Sequence, residues 1–398
     1  MKRLAGKIQP YAWGSTTAIP DFLGNEPTDD PQAELWLGAH PLAPSDVVTE
    51  QGNKPLDAAI ESDPRAWVGQ VAVDRFGPRL PYLIKVLAAA QPLSLQAHPT
   101  REQAEAGFAR EEAAGIPRDA ADRTYRDDWP KPEALCALGD FEALCGFREP
   151  AETYELFAAV GVPAAVDLVA PLRNGGAAEL EQVFGTLLRM PNAQSLVSEV
   201  VRSAVLLATQ PGEIGRFART AAEIAGHFPG DPGILAALMM NRVSLSKYDA
   251  IYLPAGNLHA YLRGLGVEIM ANSDNVLRGG LTGKHIDVDE LLGLLDFTPG
   301  WAGPVPIEQE SAAVYRYRTE APEFGLWRVD VDQAPDEGVA VPAYGSGRVL
   351  LCGDGSVTVR SSGADLGLGR GQSVFVKPDE SAVVRGSGAL FVGAAGVV

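Results

Sequence analysis

The sequence predicts a mainly β fold, two barrel-like units with a helical block inserted into the first. Three observations carry this. Short runs such as Tyr82 to Leu87 and Leu93 to His98 are bounded by turn formers and have the length and composition of strands. From about Ala151 to Arg242 the apolar spacing becomes helical, with Leu180, Val183, Phe184, Leu187 and Leu188 at i, i+3, i+4, i+7 and i+8. Beyond Val243 the strand pattern resumes and continues to Val398.

Taken in order, residues 1–150 form the first part of a β unit rich in Gly, Pro and aromatic residues. Within it, Thr100 can cap a helix running from Arg101 to Glu112, just after Pro99. Residues 151–242 form the helical insert, whose Gly175-Gly176, Pro191, Pro211-Gly212 and Pro229-Gly230 fall between helices. Residues 243–300 complete the first β unit, and residues 301–398 form a second one. In that second unit, Gly371 to Val383 repeats the strand–turn–strand layout around Pro254, but Val383 stands where the first unit has His259. No histidine follows His285, so a histidine-based metal site is not expected there. The Gly367-x-Gly369-x-Gly371 spacing has no following helix and reads as a turn.

Composition narrows the function. The 398 residues are 46% hydrophobic and 21% charged, which suits a packed protein with real cores. The formal net charge of −18 repels nucleic acid and anionic lipid, so neither is an expected partner. No window approaches the length of a membrane span, and the first residues lack the apolar run of a secretion signal. Three cysteines without C-x-x-C spacing fit a reducing cytoplasm better than a disulfide framework. No obligate protein partner is evident.

The chemistry lies in a few side chains. Gln96 and His98, two apart in a strand, project from one face and make a workable pair of metal ligands, although a barrel-lining Gln beside a hydrogen-bonded His has the same spacing. In Pro254-Ala255-Gly256-Asn257-Leu258-His259 a Pro-x-Gly turn aims an imidazole from the start of a strand. That P-x-G-x-x-H pattern resembles the second metal-binding motif of cupin barrels. Glu133 follows two prolines that stiffen its approach. Two His, one Glu and one Gln amide oxygen offer four N/O donors, which suits Zn²⁺ first, with Mn²⁺, Fe²⁺ or Co²⁺ as substitutes.

Longer blocks point to a family. Gln9 to Ser15 (QPYAWGS), Glu34 to Pro41 (ELWLGAHP), Ser94 to Pro99 (SLQAHP), Lys131-Pro132-Glu133, and Val267 to Thr282 (VEIMANSDNVLRGGLT) occur in this order. With them the chain resembles the type I mannose-6-phosphate isomerases. The resemblance implies a cupin-like fold and one zinc ion bound by Gln96, His98, Glu133 and His259. It also implies aldose–ketose isomerisation of a sugar phosphate through a cis-enediolate, with Arg278 in the active site. One departure stands out: the family usually reads N-H-K-P-E, whereas this chain has Trp129-Pro130-Lys131-Pro132-Glu133, so a histidine that could assist ring opening is absent.

Isomerisation needs a base for the C2 proton and groups that bear enediolate charge. Glu268 and Asp274 are the candidate bases, and Arg278 and Lys131 the candidate charge stabilisers. The candidate substrate contacts are Lys85, Ser94, Trp13 and Tyr261; Lys85 is drawn in because a buried unpaired ammonium is costly. The remaining histidines, His40, His227 and His285, read as structural. Two other classes fit the barrel, a metal-binding cupin that senses a sugar phosphate without catalysis and a metal-cupin oxygenase, but neither needs Lys85, Lys131 and Arg278 together.

Overall fold

The computed structural model describes residues 1–301, 303–361 and 364–396. Among these, the strands form one sheet of ten and one of eleven. The ten-stranded sheet is organised by a single long strand, His259–Ala271. Its first half pairs with Gln96–Ala97 and Phe141–Phe147, and its second half with Tyr82–Ala89 and Glu133–Ala137. Between the halves the register slips near Tyr261 and Arg263, and Gly264 takes φ +130°. A Cβ at Gly264 would come within 2.5 Å of the Phe141 ring, so this corner requires glycine. The bend lets one strand serve both walls of the first unit, a device that closes sheets into barrels.

The expected helix after Pro99 is present at Arg101–Ala113. Thr100 and Gln103 form a reciprocal capping box at its start. The helical block runs from Pro150–Val160 to Gly233–Leu238. Leu180, Val183, Phe184 and Leu187 all point into its core, as their spacing predicts.

The eleven-stranded sheet contains Ile307–Gln309, Val314–Tyr317, Gly325–Asp330, Arg348–Ser361, Ser373–Val376 and Ala382–Ala394. The strands Lys2–Ala5, Asp46–Val47 and Lys54–Pro55 also belong to it, with Leu4 opposite Ser373. The start of the chain is therefore stitched to its last third. Ile84, Val86 and Ile269 of the first unit share one apolar cluster with Val349, Phe375 and Phe391 of the second. Across this contact the buried Tyr82 hydroxyl lies 2.7 Å from the Gly393 carbonyl and accepts the Val349 N–H at 3.1 Å. No helix among the described residues is long and apolar enough to cross a membrane.

Candidate metal centre and surrounding charges

Strand register sets the site. Gln96 lies directly opposite His259 on one side and Arg278 on the other, so the three residues form a row across three strands. Directly opposed residues project from the same face. A second row runs Glu268, Lys85, Trp36 across the strands His259–Ala271, Tyr82–Ala89 and Glu34–Gly38. In the segment carrying Gln96, Leu95 and Ala97 are fully buried in the core while Ser94 and Gln96 stay half-buried, the alternation expected of a wall facing a cavity.

His98, Glu133 and His259 are buried and converge, with ligand atoms within 4.8 Å of one another. His98 Nδ1 is 2.7 Å from the Asn275 carbonyl oxygen, and His259 Nδ1 is 3.0 Å from that of Asn257. A carbonyl can only accept, so each Nδ1 carries the proton and each Nε2 presents a lone pair. Those lone pairs face the two oxygens of Glu133, His98 Nε2 at 3.5 Å from Oε1 and His259 Nε2 at 3.4 Å from Oε2. His98 Nε2 is buried with no hydrogen-bond partner among the described residues. Burial and the nearby Lys131 push the His98 imidazolium down to about 4, so the ring is neutral at pH 7. Acceptors thus face acceptors, an arrangement that a cation resolves. Two ligand atoms of a tetrahedral zinc site, each about 2.0–2.1 Å from the ion, lie about 3.3 Å apart, close to the spacing found here.

The turn before His259 has the predicted form. Gly256 takes φ +78°, and the Asn257 N–H returns to the Pro254 carbonyl at 3.2 Å. Asn275, fully buried, fixes the other side of the site. Its amide oxygen accepts the Arg126 N–H at 2.7 Å, and its Nδ2 donates to the Trp129 carbonyl at 2.9 Å. It thereby holds the segment that leads to Lys131 and Glu133 while its own carbonyl orients His98. Trp129 is buried between the Arg79 and Arg101 guanidinium groups, 4.2 and 4.0 Å from its ring, and Pro130 beside it is buried and carries no titratable group.

Lys131 Nζ is 3.0 Å from Glu133 Oε1. Burial would raise the Glu133 carboxyl, but Lys131 and His98 hold it well below the usual range. Lys85 is buried between two carboxylates, Glu34 Oε1 at 3.4 Å and Glu268 Oε2 at 3.3 Å. Burial would lower its ammonium, yet Glu34, Glu268 and Glu133 outweigh that and raise it. Glu268 also accepts the Tyr261 hydroxyl at 2.6 Å. Burial, then the Glu133 charge, raises the Glu268 carboxyl against the pull of Lys85. Trp13 packs on the apolar cluster that includes Tyr261 and stacks on Tyr11, ring centroids 5.8 Å apart.

Asp274 keeps 32% of its side-chain surface exposed, and its Oδ1 is 3.4 Å from His40 Nε2. Arg278 is half-buried and makes no ion pair among the described residues. Burial and then Arg126 lower its guanidinium, while burial, Arg278 and Arg126 lower the Lys284 ammonium. Three cations therefore share one region of the site. Glu34, Arg126 and Lys284 carry no motif that singles them out in the sequence as site residues, and His40 reads there as structural. Glu34 had one legible signal, a carboxylate inside an apolar strand.

Comparison with known proteins follows the same lines. Residues 1–150 match the model of the phosphomannose isomerase type I catalytic domain. The mannose-6-phosphate isomerase of Salmonella typhimurium is 38% identical over 397 residues, with 98% of each chain covered. The Homo sapiens mannose-6-phosphate isomerase is 30% identical over 96% of this chain and 94% of its own. Among solved structures, a zinc-bound mannose 6-phosphate isomerase superimposes with a TM-score of 0.89 at 35% identity, covering 99% of both chains.

Proposed function

This chain belongs to the type I mannose-6-phosphate isomerase family, and on that premise we propose that it interconverts mannose 6-phosphate and fructose 6-phosphate with one zinc ion held by Gln96, His98, Glu133 and His259. The observation that carries the metal assignment is the pair of imidazole lone pairs turned onto one carboxylate. When bound, zinc supplies a Lewis acid that polarises the sugar carbonyl and bears developing oxyanion charge.

The rest is assigned to the chain's own side chains. Arg126, Arg278 and Lys284 repel one another and hold the sugar phosphate, whose dianion relieves that repulsion. Asp274 is the proton carrier: it is the partly exposed carboxylate, whereas Glu268 is 2% exposed and bound to Lys85 and Tyr261. In the forward direction Asp274 takes the proton from C2, the C–H electron pair forms the C1–C2 double bond, and O1 becomes the oxyanion. The O2 proton passes to O1. Asp274 then returns its proton to C1 as C2–O becomes the ketone. Lys131 bears enediolate charge as a neighbouring cation, and Trp13, Ser94 and Tyr261 line the sugar's path. Lys85 sets the charge of the Glu34–Glu268 pair beneath them.

With its three free cysteines all buried, the protein is assigned to a reducing cytoplasm. The test is direct. Purified protein given mannose 6-phosphate should form fructose 6-phosphate, measured through a coupled dehydrogenase, lose that activity on chelation and regain it with zinc. A metal-loaded protein that binds the sugar phosphate without turnover would favour the sensor, and sink the isomerase.

A further inference from the structure

His40 is 2% exposed and lies just beyond the strand Glu34–Gly38, 234 residues before Asp274 in sequence. Its Nδ1 accepts the Leu42 N–H at 3.3 Å. An imidazole nitrogen that accepts cannot also carry the proton, so the neutral ring is protonated at Nε2. That nitrogen lies 3.4 Å from Asp274 Oδ1. The ring is held in this pose by an edge-on contact with Trp36, centroids 4.6 Å apart, and Trp36 is itself fixed by donating to Glu34 Oε2 at 2.6 Å. Among the described residues no other basic side chain pairs with the Asp274 carboxylate.

We propose that His40 is a positioning residue for the reaction: its Nε2–H holds Oδ1 of Asp274 and leaves Oδ2 to carry the substrate proton. The inference rests on the reading of Asp274 as the proton carrier. The surroundings are consistent with it. Burial alone would raise the Asp274 carboxyl, and the contact with His40, followed by the charges of Lys131 and Arg126, brings it below the ordinary range. Asp127, which accepts the Asp274 N–H at 2.8 Å, is a second carboxylate facing it, and Tyr11 faces it from the strand-end loop. A carboxylate so placed needs a donor to stay ionised beside another acid.

The experiment compares His40→Phe, which keeps a ring against Trp36 but has no donor, with His40→Gln, which restores one. Both are measured with full zinc occupancy for kcat, KM and the acid limb of the kcat–pH profile. His40→Phe should lose 10- to 100-fold in kcat with KM within twofold, and its acid limb should move to higher pH. His40→Gln should recover much of the rate and return the limb toward wild type. An unchanged rate and profile in His40→Phe, while Asp274→Asn is inactive, would overturn the role of His40 alone. Equal losses in both His40 variants at full zinc occupancy, or failure of both to hold zinc, would overturn it as well, marking the ring as structural support. An active Asp274→Asn would instead remove the reading of Asp274, and the inference with it.

Discussion

Replacing Lys85 by Met should expose how the buried carboxylates beneath the site are balanced. The ammonium lies 3.4 Å from Glu34 and 3.3 Å from Glu268, both buried. At an effective dielectric of about 20, each contact is worth about 5 kcal/mol of Coulomb energy. Removing one partner from a buried pair costs less than that, about 3–5 kcal/mol, because the rest relaxes or neutralises. Methionine fills nearly the same volume, so the loss is electrostatic. For a chain of 398 residues, 4 kcal/mol corresponds to a drop of about 5 °C in Tm, from an unfolding entropy of about 2.1 cal/mol/K per residue. The sign with pH follows from the same charges. Burial and Glu133 already raise the Glu268 carboxyl against the pull of Lys85, and without Lys85 it rises further, so the folded state binds more protons and the variant regains stability as pH falls. Scanning calorimetry of zinc-saturated wild type and Lys85→Met at pH 8 and pH 5.5 measures this. The gap should be about 5 °C at pH 8 and narrower at pH 5.5, and a gap that is constant or widens with acid would refute the reasoning.

Further outcomes follow from the site. His98→Ala and His259→Ala should each lose the zinc ion in metal analysis of the purified protein, and full occupancy in both would remove the assigned centre. Arg278→Lys should fold and keep zinc yet lose about 2–4 kcal/mol of transition-state stabilisation, the scale for one preorganised donor; near-normal turnover would take Arg278 out of the mechanism. Tyr82→Phe should lower stability by about 2–3 kcal/mol, since it leaves the Val349 N–H and the Gly393 carbonyl buried without their partner. Its kcat, taken per folded molecule, should match wild type, and a selective loss of kcat would show that the contact between the two units reaches the site.

Local spacing made part of this structure legible. His259 could be found because a Pro-x-Gly turn and the residue five after the proline are neighbours in sequence, and the turn forms as its glycine requires. Gln96 and His98 were visible through the two-residue period of a strand, and the helical insert through the period of a helix. What stayed hidden depends on pairing between distant segments. Arg278 stands opposite Gln96 only because Leu277–Arg278 pairs with Gln96–Ala97, and nothing in either segment states that register. Lys85 invited a substrate role as a lysine in an apolar strand, but its partners Glu34 and Glu268 come from two other strands. His40 read as structural because Asp274 is remote in sequence. Lys2 to Ala5 would suit either sheet by pattern, and its place beside Ser373–Val376 was not legible.

That last pairing bears on how the protein is made. A strand near the start of the chain whose partner lies in the last third cannot complete its sheet while the ribosome is still working through the middle. Until Ser373–Val376 emerges, Lys2–Ala5 has an open edge, and the apolar flank of Ile84 and Ile269 lacks its cover from Phe375 and Phe391. The helical insert shares its apolar cluster with Leu144, Phe147, Leu258 and Leu262 of the first β unit, so its packing is completed only when those strands are in place. The first β unit has to wait longer, and a nascent chain stalled before residue 373 would present both a free strand and an uncovered face to whatever protects it. The proposed zinc ligands all lie before residue 260 and can be synthesised well before the sheet that buttresses them, so metal capture would be able to precede the final closure.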